Sequence, residues 1–487
     1  MSKARRNREQ NAEKQSLKRE REEFAAKKAK VRKITAIITA SILAAVILIG
    51  LCGIGIYNHR LNSGEYLRSE VAAGSKTIDV NGAMMNYYYN DVLNSFVDYY
   101  GSYVQYYGFD PTASAKYQSI SDGESWFDYF MSGAKDNVTG YLALNEAAAA
   151  EGIALSDAEL AALETRVKNI DEALYGRGVK SSDILDAKSI EALAYKYQNA
   201  KQTEFAPTDA EIDERYESAP YKYQSVDFLA YSFDWSEGAI SEENAALAAE
   251  RFANAKNSDE FKSLIAEFIK KDSPDMSDET LEQTVASYEQ KGALYTDGSE
   301  LSEWAFTKAA VGDTKVITDE SSSVTTIYML TSAPIRDESK TVNVRHILFT
   351  EDKYGSLEKA QKKAEEILAE FESGDRSPES FALLALAWTE DENTCYNGGL
   401  YEDLAEGITL ANFDDWCFYG DRKPGDCEII QTTSGIHIVY FESNGRENWA
   451  ASVADDIISE RFSELSTTLL SDYPVSFDDK LISSIPG

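Results

Sequence analysis

A chain of 487 residues is too long for one compact core and predicts several domains. It carries 48 basic against 83 acidic residues, and thirteen of the basic ones fall in the first 33 positions beside five acidic ones, leaving 35 basic and 78 acidic residues for the rest. So acidic a remainder excludes a nucleic-acid-binding protein, which needs clustered Lys and Arg to replace counterions.

The basic segment, 1–33, is followed by ITAIITASILAAVILIGLCGIGIY, Ile34 to Tyr57, which is uncharged throughout. At 1.5 Å per residue in a helix it is long enough to cross about 30 Å of hydrocarbon, which predicts a transmembrane signal anchor over 34–57. Lys and Arg on its N-terminal side place 1–33 in the cytoplasm and everything after Tyr57 outside. The protein is thus expected to be a single-pass protein of the cell membrane with an extracytoplasmic bulk. Cys52 is preceded by bulky Leu51 and is not read as a lipidation site. Beyond the span, Cys395, Cys417 and Cys427 allow one disulfide and one free thiol, with the pairing left open. With no C-x-x-C clip, no metal site is expected, and no cofactor.

Residues 75–220 read as helical. Asn81-Gly82 precedes a run with Tyr87, Tyr88, Tyr89, Tyr99, Tyr100, Tyr103, Tyr106 and Tyr107. Core packing is expected to account for most of these tyrosines, the others lining a groove for unfolded segments. Ser156-Asp157 and Pro207-Thr208-Asp209 are helix-start signals before apolar-periodic runs.

From Tyr221 a repeat of about 110 to 120 residues emerges. SVDFLAYSF answers NVRHILFTE, KGALY answers NGGLY, EWAF answers DWCF, and TTIYML answers IHIVYF. Each copy reads strand, helix, short helices, strand, an α+β pattern. In the second copy LEKAQKKAEEILAEF puts Leu357, Ala360, Ala364, Ile367, Leu368 and Phe371 on one helical stripe. Its last strand sets Ile436, Ile438 and Tyr440 on one face, and His437, Val439 and Phe441 on the other. Two of the chain's three histidines, His346 and His437, sit in its first and last strands. If those strands are sheet neighbours, the imidazoles approach each other. A final amphipathic helix is expected within 446–487.

VRHILF, the F-x-x-L-A helix, NGGL, F-x-x-W-x-F and PGD-x(7)-SGIHIVYF resemble the parvulin family of peptidyl-prolyl cis/trans isomerases over about 105 residues from Val342 to Asn444. The resemblance implies an isomerase domain over 341–445 in which His346, His437, Asp391 and Ser434 are the catalytic set. Phe413 would be its proline-pocket phenylalanine, with Trp416 and Phe418 beside it. GITLANF offers Ile408, Thr409 or Leu410 where the family usually has a pocket methionine, and TEDKYGS lacks the basic cluster of phosphate-selective members. The first copy, 221–336, has Phe228 in place of the first histidine and Thr325 or Thr326 near the second, and is read as a degenerate, inactive copy. V-N-G before a helix, G-I-x-x-S-D-x-E, and P-T-x-x-E-I-x-x-x-Y ahead of a parvulin copy resemble the chaperone region of the SurA and PrsA foldases. That resemblance implies a C-terminal helix packed on the chaperone domain, and partners that are unfolded or newly translocated proteins containing proline.

Overall fold

A computed structural model describes residues 64–487 except 122, 237 and 239. The expected cytoplasmic tail and membrane-spanning run lie outside the described residues. Among those described, no helix is long and apolar enough to cross a membrane. They form two compact units: one holds the described residues up to Val138 with Asp171–Ala187 and Ser476–Gly487, the other Thr139–Ile170 with Lys188–Val475.

In the first unit, Val71–Gly74 pairs antiparallel with Asp79–Asn81 and with Ser476–Phe477. The Asn81 side chain accepts from the N–H groups of Ala83 and Met84 and so caps the helix Gly82–Tyr100, satisfying donors that have no partner inside the helix. Tyr87, Tyr88 and Tyr89 are buried, whereas Tyr99, Tyr103, Tyr106 and Tyr107 are exposed and Tyr100 is half-buried. Core packing therefore accounts for fewer of these eight tyrosines than expected. The helix outruns its cover, and the tight turns of Gly101–Tyr107 continue along the surface.

In the second unit, Ser156 and Thr208 open the helices Asp157–Lys168 (α1) and Asp209–Ser218, each through a reciprocal capping box, with Glu159 and Glu211 reaching back to the cap. Two sheets follow. The first consists of β1 (Gln224–Asp234), β2 (Glu289–Leu294), β3 (Thr314–Asp319) and β4 (Val324–Leu330) in the order β2-β1-β4-β3, with Ile335–Arg336 paired to β1. The second consists of β5 (Lys340–Phe349), β6 (Leu400–Leu404), β7 (Cys427–Gln431) and β8 (Ile436–Glu447) in the order β6-β5-β8-β7. Both sheets thus run second, first, fourth, third strand, and every neighbouring pair is antiparallel.

Both faces of the second sheet are covered. Helices α2 (Leu357–Ser373) and α3 (Pro378–Trp388) bury Ala360, Ala364, Ile367, Phe371, Phe381 and Ala385 against Ile347, Phe349, Ile436, Ile438 and Tyr440. On the other face α4 (Ala411–Phe418) brings Phe413 and Trp416 against Val342, Val344, Val439 and Phe441. Full alternation therefore reads as a continuous buried run in β8, because neither face is left to solvent. The long helix α5 (Asn448–Asp472) packs Trp449, Val453, Ala454 and Ile457 on Ile212 and Tyr223, and Leu465 and Leu469 on Ala143, Ala147, Ala148 and Tyr197. Cys395, Cys417 and Cys427 are all free thiols.

Candidate active site

β5 and β8 are antiparallel neighbours in which His346 faces Val439 and Leu348 faces His437. The two histidines are therefore diagonal on one face, the separation at which long side chains meet across strands. Their Nδ1 atoms lie 3.3 Å apart, and their ring centroids 5.5 Å apart. His346 Nε2 is 2.9 Å from Asp391 Oδ2 and 3.1 Å from Thr394 Oγ1, and Thr394 Oγ1 donates to the same carboxylate oxygen. At the other end, His437 Nε2 is 2.9 Å from Thr432 Oγ1, which in turn accepts from the Ser434 N–H at 3.1 Å.

One proton arrangement satisfies the whole chain with neutral imidazoles. Thr432 donates to His437 Nε2, His437 Nδ1–H donates to His346 Nδ1, and His346 Nε2–H donates to the Asp391 carboxylate. Burial by itself raises the Asp391 pKa. The hydrogen bonds from His346 and Thr394, aided by the Asn393 N–H, outweigh it and hold the carboxyl well below the usual range. His437 moves down to about 4, chiefly because burial penalises its cation. Tyr401, stacked on His346 with centroids 4.9 Å apart, is pushed up to about 12 by burial and by Asp391.

This network forms one wall of a cavity of about 350 Å³ lined by His346, Leu348, Asp391, Tyr401, Ile408, Thr409, Leu410, Phe413, Ser434 and His437. Phe413 is buried and stands edge-on to His346 and His437, with centroids 5.7 and 5.5 Å away. Ile408, Leu410 and Ser434 are exposed at the rim. Of the residues expected at the site, Trp416 and Phe418 are not brought to the cavity. They belong to the apolar cluster under α4, where the Trp416 indole donates to Glu428 at 2.8 Å and the Arg422 guanidinium lies 4.4 Å from its ring centre. The sequence reading missed Thr394, Thr432 and Tyr401. The i, i+3 spacing of Asp391 and Thr394 was the available signal, but Thr at that spacing is common.

The loop behind the site explains the N-G-G run. Gly398 and Gly399 have φ of +74° and +75°, and a Cβ on Gly399 would run into the carbonyl oxygen of His346. The His346 N–H donates to the Gly399 carbonyl at 2.8 Å, so the strand bearing the histidine is fastened directly to this turn.

In the first sheet Phe228 faces Leu330 and Ala230 faces Tyr328. Matching Phe228 to His346 makes Tyr328 the counterpart of His437, not Thr325 or Thr326. The likeness of TTIYML to IHIVYF is two residues out of step with the strand pairing, and ladder register decides the partner. Phe228 and Tyr328 form an edge-to-face ring pair 5.8 Å apart where the second sheet has its imidazoles.

Residues 327–444 match the family model of the PPIC-type PPIASE domain. This part of the chain is a parvulin-type peptidyl-prolyl isomerase domain, and the match starts inside β4. Over longer stretches the chain is similar to PrsA peptidylprolyl isomerases. Identity is 15% with that of Bacillus anthracis, covering 49% of this chain and 91% of the other at a TM-score of 0.20. It is 14% with that of Bacillus cereus, covering 66% and 97% at 0.20. A SurA-like chaperone of Campylobacter jejuni is 20% identical over 27% of this chain and 52% of its own, at 0.18. No curated protein matches the chain.

The depressed His437 pKa fixes a pH dependence. Its folded value of about 4 lies below the ordinary 6.5, so between these pH values the unfolded chain binds a proton that the folded chain refuses. Stability contributed here is complete above pH 6.5 and is lost as pH falls toward 4. By pH 4.5 the loss is about 2 to 3 kcal/mol. Hydrogen exchange of β5 and β8 amides in the full chain, compared at pH 7 and pH 4.5, should show that loss, and His437→Gln should remove most of the difference. Equal pH dependence in both proteins would contradict a buried neutral imidazole. Asp391, lowered instead, acts in the same sense only at still lower pH.

Proposed function

We propose that this chain is an extracytoplasmic, membrane-anchored foldase that binds unfolded secreted polypeptides and catalyses cis/trans isomerisation of X-Pro bonds at the cavity in 341–445. The observation that carries the reading is the meeting, inside a parvulin-type domain, of an apolar cavity around Phe413 with the Asp391–His346–His437–Thr432 chain. The charge asymmetry around 34–57 supports the anchor and the topology.

The chemistry needs no covalent step. An X-Pro bond is held planar by a barrier of about 18 to 20 kcal/mol, and a catalyst must favour the twisted amide, in which C–N resonance is lost. A prolyl ring seated on Phe413 leaves its preceding carbonyl beside Asp391 and the rim hydroxyls of Thr409 and Ser434. A thousandfold acceleration needs about 4 kcal/mol of preferential stabilisation, within reach of a few oriented dipoles in a dry pocket. Domain 221–336 has an aromatic pair in place of the imidazoles and takes no part in catalysis.

A second reading, a holdase that grips polypeptide without catalysis, is favoured by a separate observation in the first unit. Tyr99, Tyr106 and Tyr117 are 83%, 85% and 90% exposed, far more than aromatic side chains usually are, and offer unfolded chains large contact area. We therefore expect two separable activities. The full chain carrying Asp391→Ala with Phe413→Ala should lose acceleration of a proline tetrapeptide yet still suppress light scattering by a refolding client. Tyr99→Ser, Tyr106→Ser and Tyr117→Ser together should do the reverse. If the first variant loses both activities while folded, the prolyl cavity is itself the client site.

A further inference from the structure

The loop that presents Asp391 and Thr394 is held from outside the isomerase domain. At its start, Arg166 in the last turn of α1 sends its Nη1 to the carbonyls of Thr389 at 2.8 Å and Leu386 at 3.3 Å. The Leu386 carbonyl belongs to the last turn of α3, where it has no partner within the helix and carries part of its negative end, and Thr389 is the extended residue that closes that end. The Thr389 hydroxyl accepts from the Leu348 N–H at 3.0 Å and from the Asp391 N–H at 3.3 Å, so the residue that Arg166 fastens is bonded to two residues of the cavity wall.

The far end of the loop is tied independently. Tyr396 donates to Glu191, its ring stacks on Tyr195 at 5.0 Å, and its carbonyl accepts from Asn199 at 3.3 Å. Glu191 is buried with Lys188, whose ammonium is 3.4 Å from the Tyr396 hydroxyl. Between these two anchors lie Asp391, which accepts from His346, and Thr394, whose carbonyl accepts from Gly399 at 2.8 Å. None of the side chains from Arg166 to Asn199 touches the cavity.

Resting on the isomerase reading of this cavity, we propose that Arg166 and Tyr396 are positioning residues, through which the helical part of this unit sets the place of Asp391 against His346 and so tunes isomerisation. Sub-ångström displacement matters here, because a bond of 2.9 Å from Asp391 to His346 fixes the tautomer of the entire chain of side chains.

The chain's three histidines make a direct readout possible. In full-length protein labelled with ¹⁵N-histidine, the His346 Nε2–H bonded to Asp391 should give a slowly exchanging signal. Arg166→Ala should broaden or shift it and lower kcat/KM for a proline tetrapeptide about tenfold, mostly through kcat. Arg166→Lys, which keeps one donor, should recover most of both, and Tyr396→Phe, which keeps the ring stack, should produce a smaller change of the same kind. An unmoved His346 signal in Arg166→Ala overturns the proposal whatever the activity. So does a signal that moves only together with loss of the cooperative thermal transition. If the unaltered protein shows the signal but no isomerisation, the reading of the cavity fails, and the response of the signal to Arg166→Ala still decides whether the loop is positioned from outside.

Discussion

Asp391→Ala in the full chain should lower kcat/KM for an X-Pro peptide about a hundredfold, a loss of about 2.7 kcal/mol. The reason is cumulative. The carboxylate accepts from His346, from Thr394 and from the Asn393 N–H, and its removal leaves two buried donors without their shared acceptor. His346 is then free to carry its proton on Nδ1, where it meets the Nδ1–H of His437 donor to donor, and the order of the chain as far as Thr432 is lost. Asp391→Asn keeps an acceptor but not the charge, and should cost nearer tenfold. The first sheet supplies a control for architecture: Phe228 and Tyr328 show that an aromatic pair fits this register in a folded sheet. His346→Phe with His437→Tyr should therefore leave β5 and β8 amides protected from exchange while isomerisation falls as far as in Asp391→Ala. Peptide isomerisation measured beside hydrogen exchange on the same samples checks both. Full activity in the aromatic double variant would reduce the histidines to packing.

Much of this site was legible because its parts obey strong local rules. The strand alternation around His346 and His437 needs only period two, and the antiparallel adjacency of first and last strands then makes the diagonal meeting geometric. Capping boxes at Ser156 and Thr208 are equally local. What escaped reading depends on register or on the third dimension. Tyr328 stands where Thr326 was aligned because hydrogen bonding across the ladder, not likeness of short apolar strings, sets which residues face each other. Trp416 and Phe418 follow Phe413 on the same short helix, and the spacing does not say that Phe413 turns to the cavity while the other two close the apolar layer beneath it. Hydroxyl partners such as Thr394 and Thr432 leave almost no sequence signal, since Thr is tolerated nearly anywhere. The eight tyrosines of 87–107 divide between core and surface at the point where their helix passes its cover.

The backbone of the N-G-G turn should prove as critical to the fold as Asp391 is to the site. Gly399→Ala combines two penalties. The residue sits at φ +75°, in the left-handed region that costs an L side chain about 1 to 2 kcal/mol. The added methyl also meets the His346 carbonyl, a backbone atom in the middle of a buried strand with no rotamer by which to move aside. Either β5 shifts or the bond from the His346 N–H to the Gly399 carbonyl opens, and both displace His346 from Asp391. The expected cost is about 3 to 5 kcal/mol, in the upper range for single substitutions, reached here because backbone strain and a clash with the main chain combine. Gly407→Ala isolates the first penalty, because Gly407 has φ +85° but open space around the position of a new methyl, one residue before Ile408 of the cavity lining. It should cost only about 1 to 2 kcal/mol and leave the ¹⁵N signal of His346 in place. Thermal unfolding and β5 amide exchange of the two variants in the full chain measure the difference. If both glycines tolerate alanine equally, close approach of the turn to the histidine strand does not hold the site together. If only Gly399→Ala fails, the second glycine of the N-G-G motif is explained by one carbonyl oxygen.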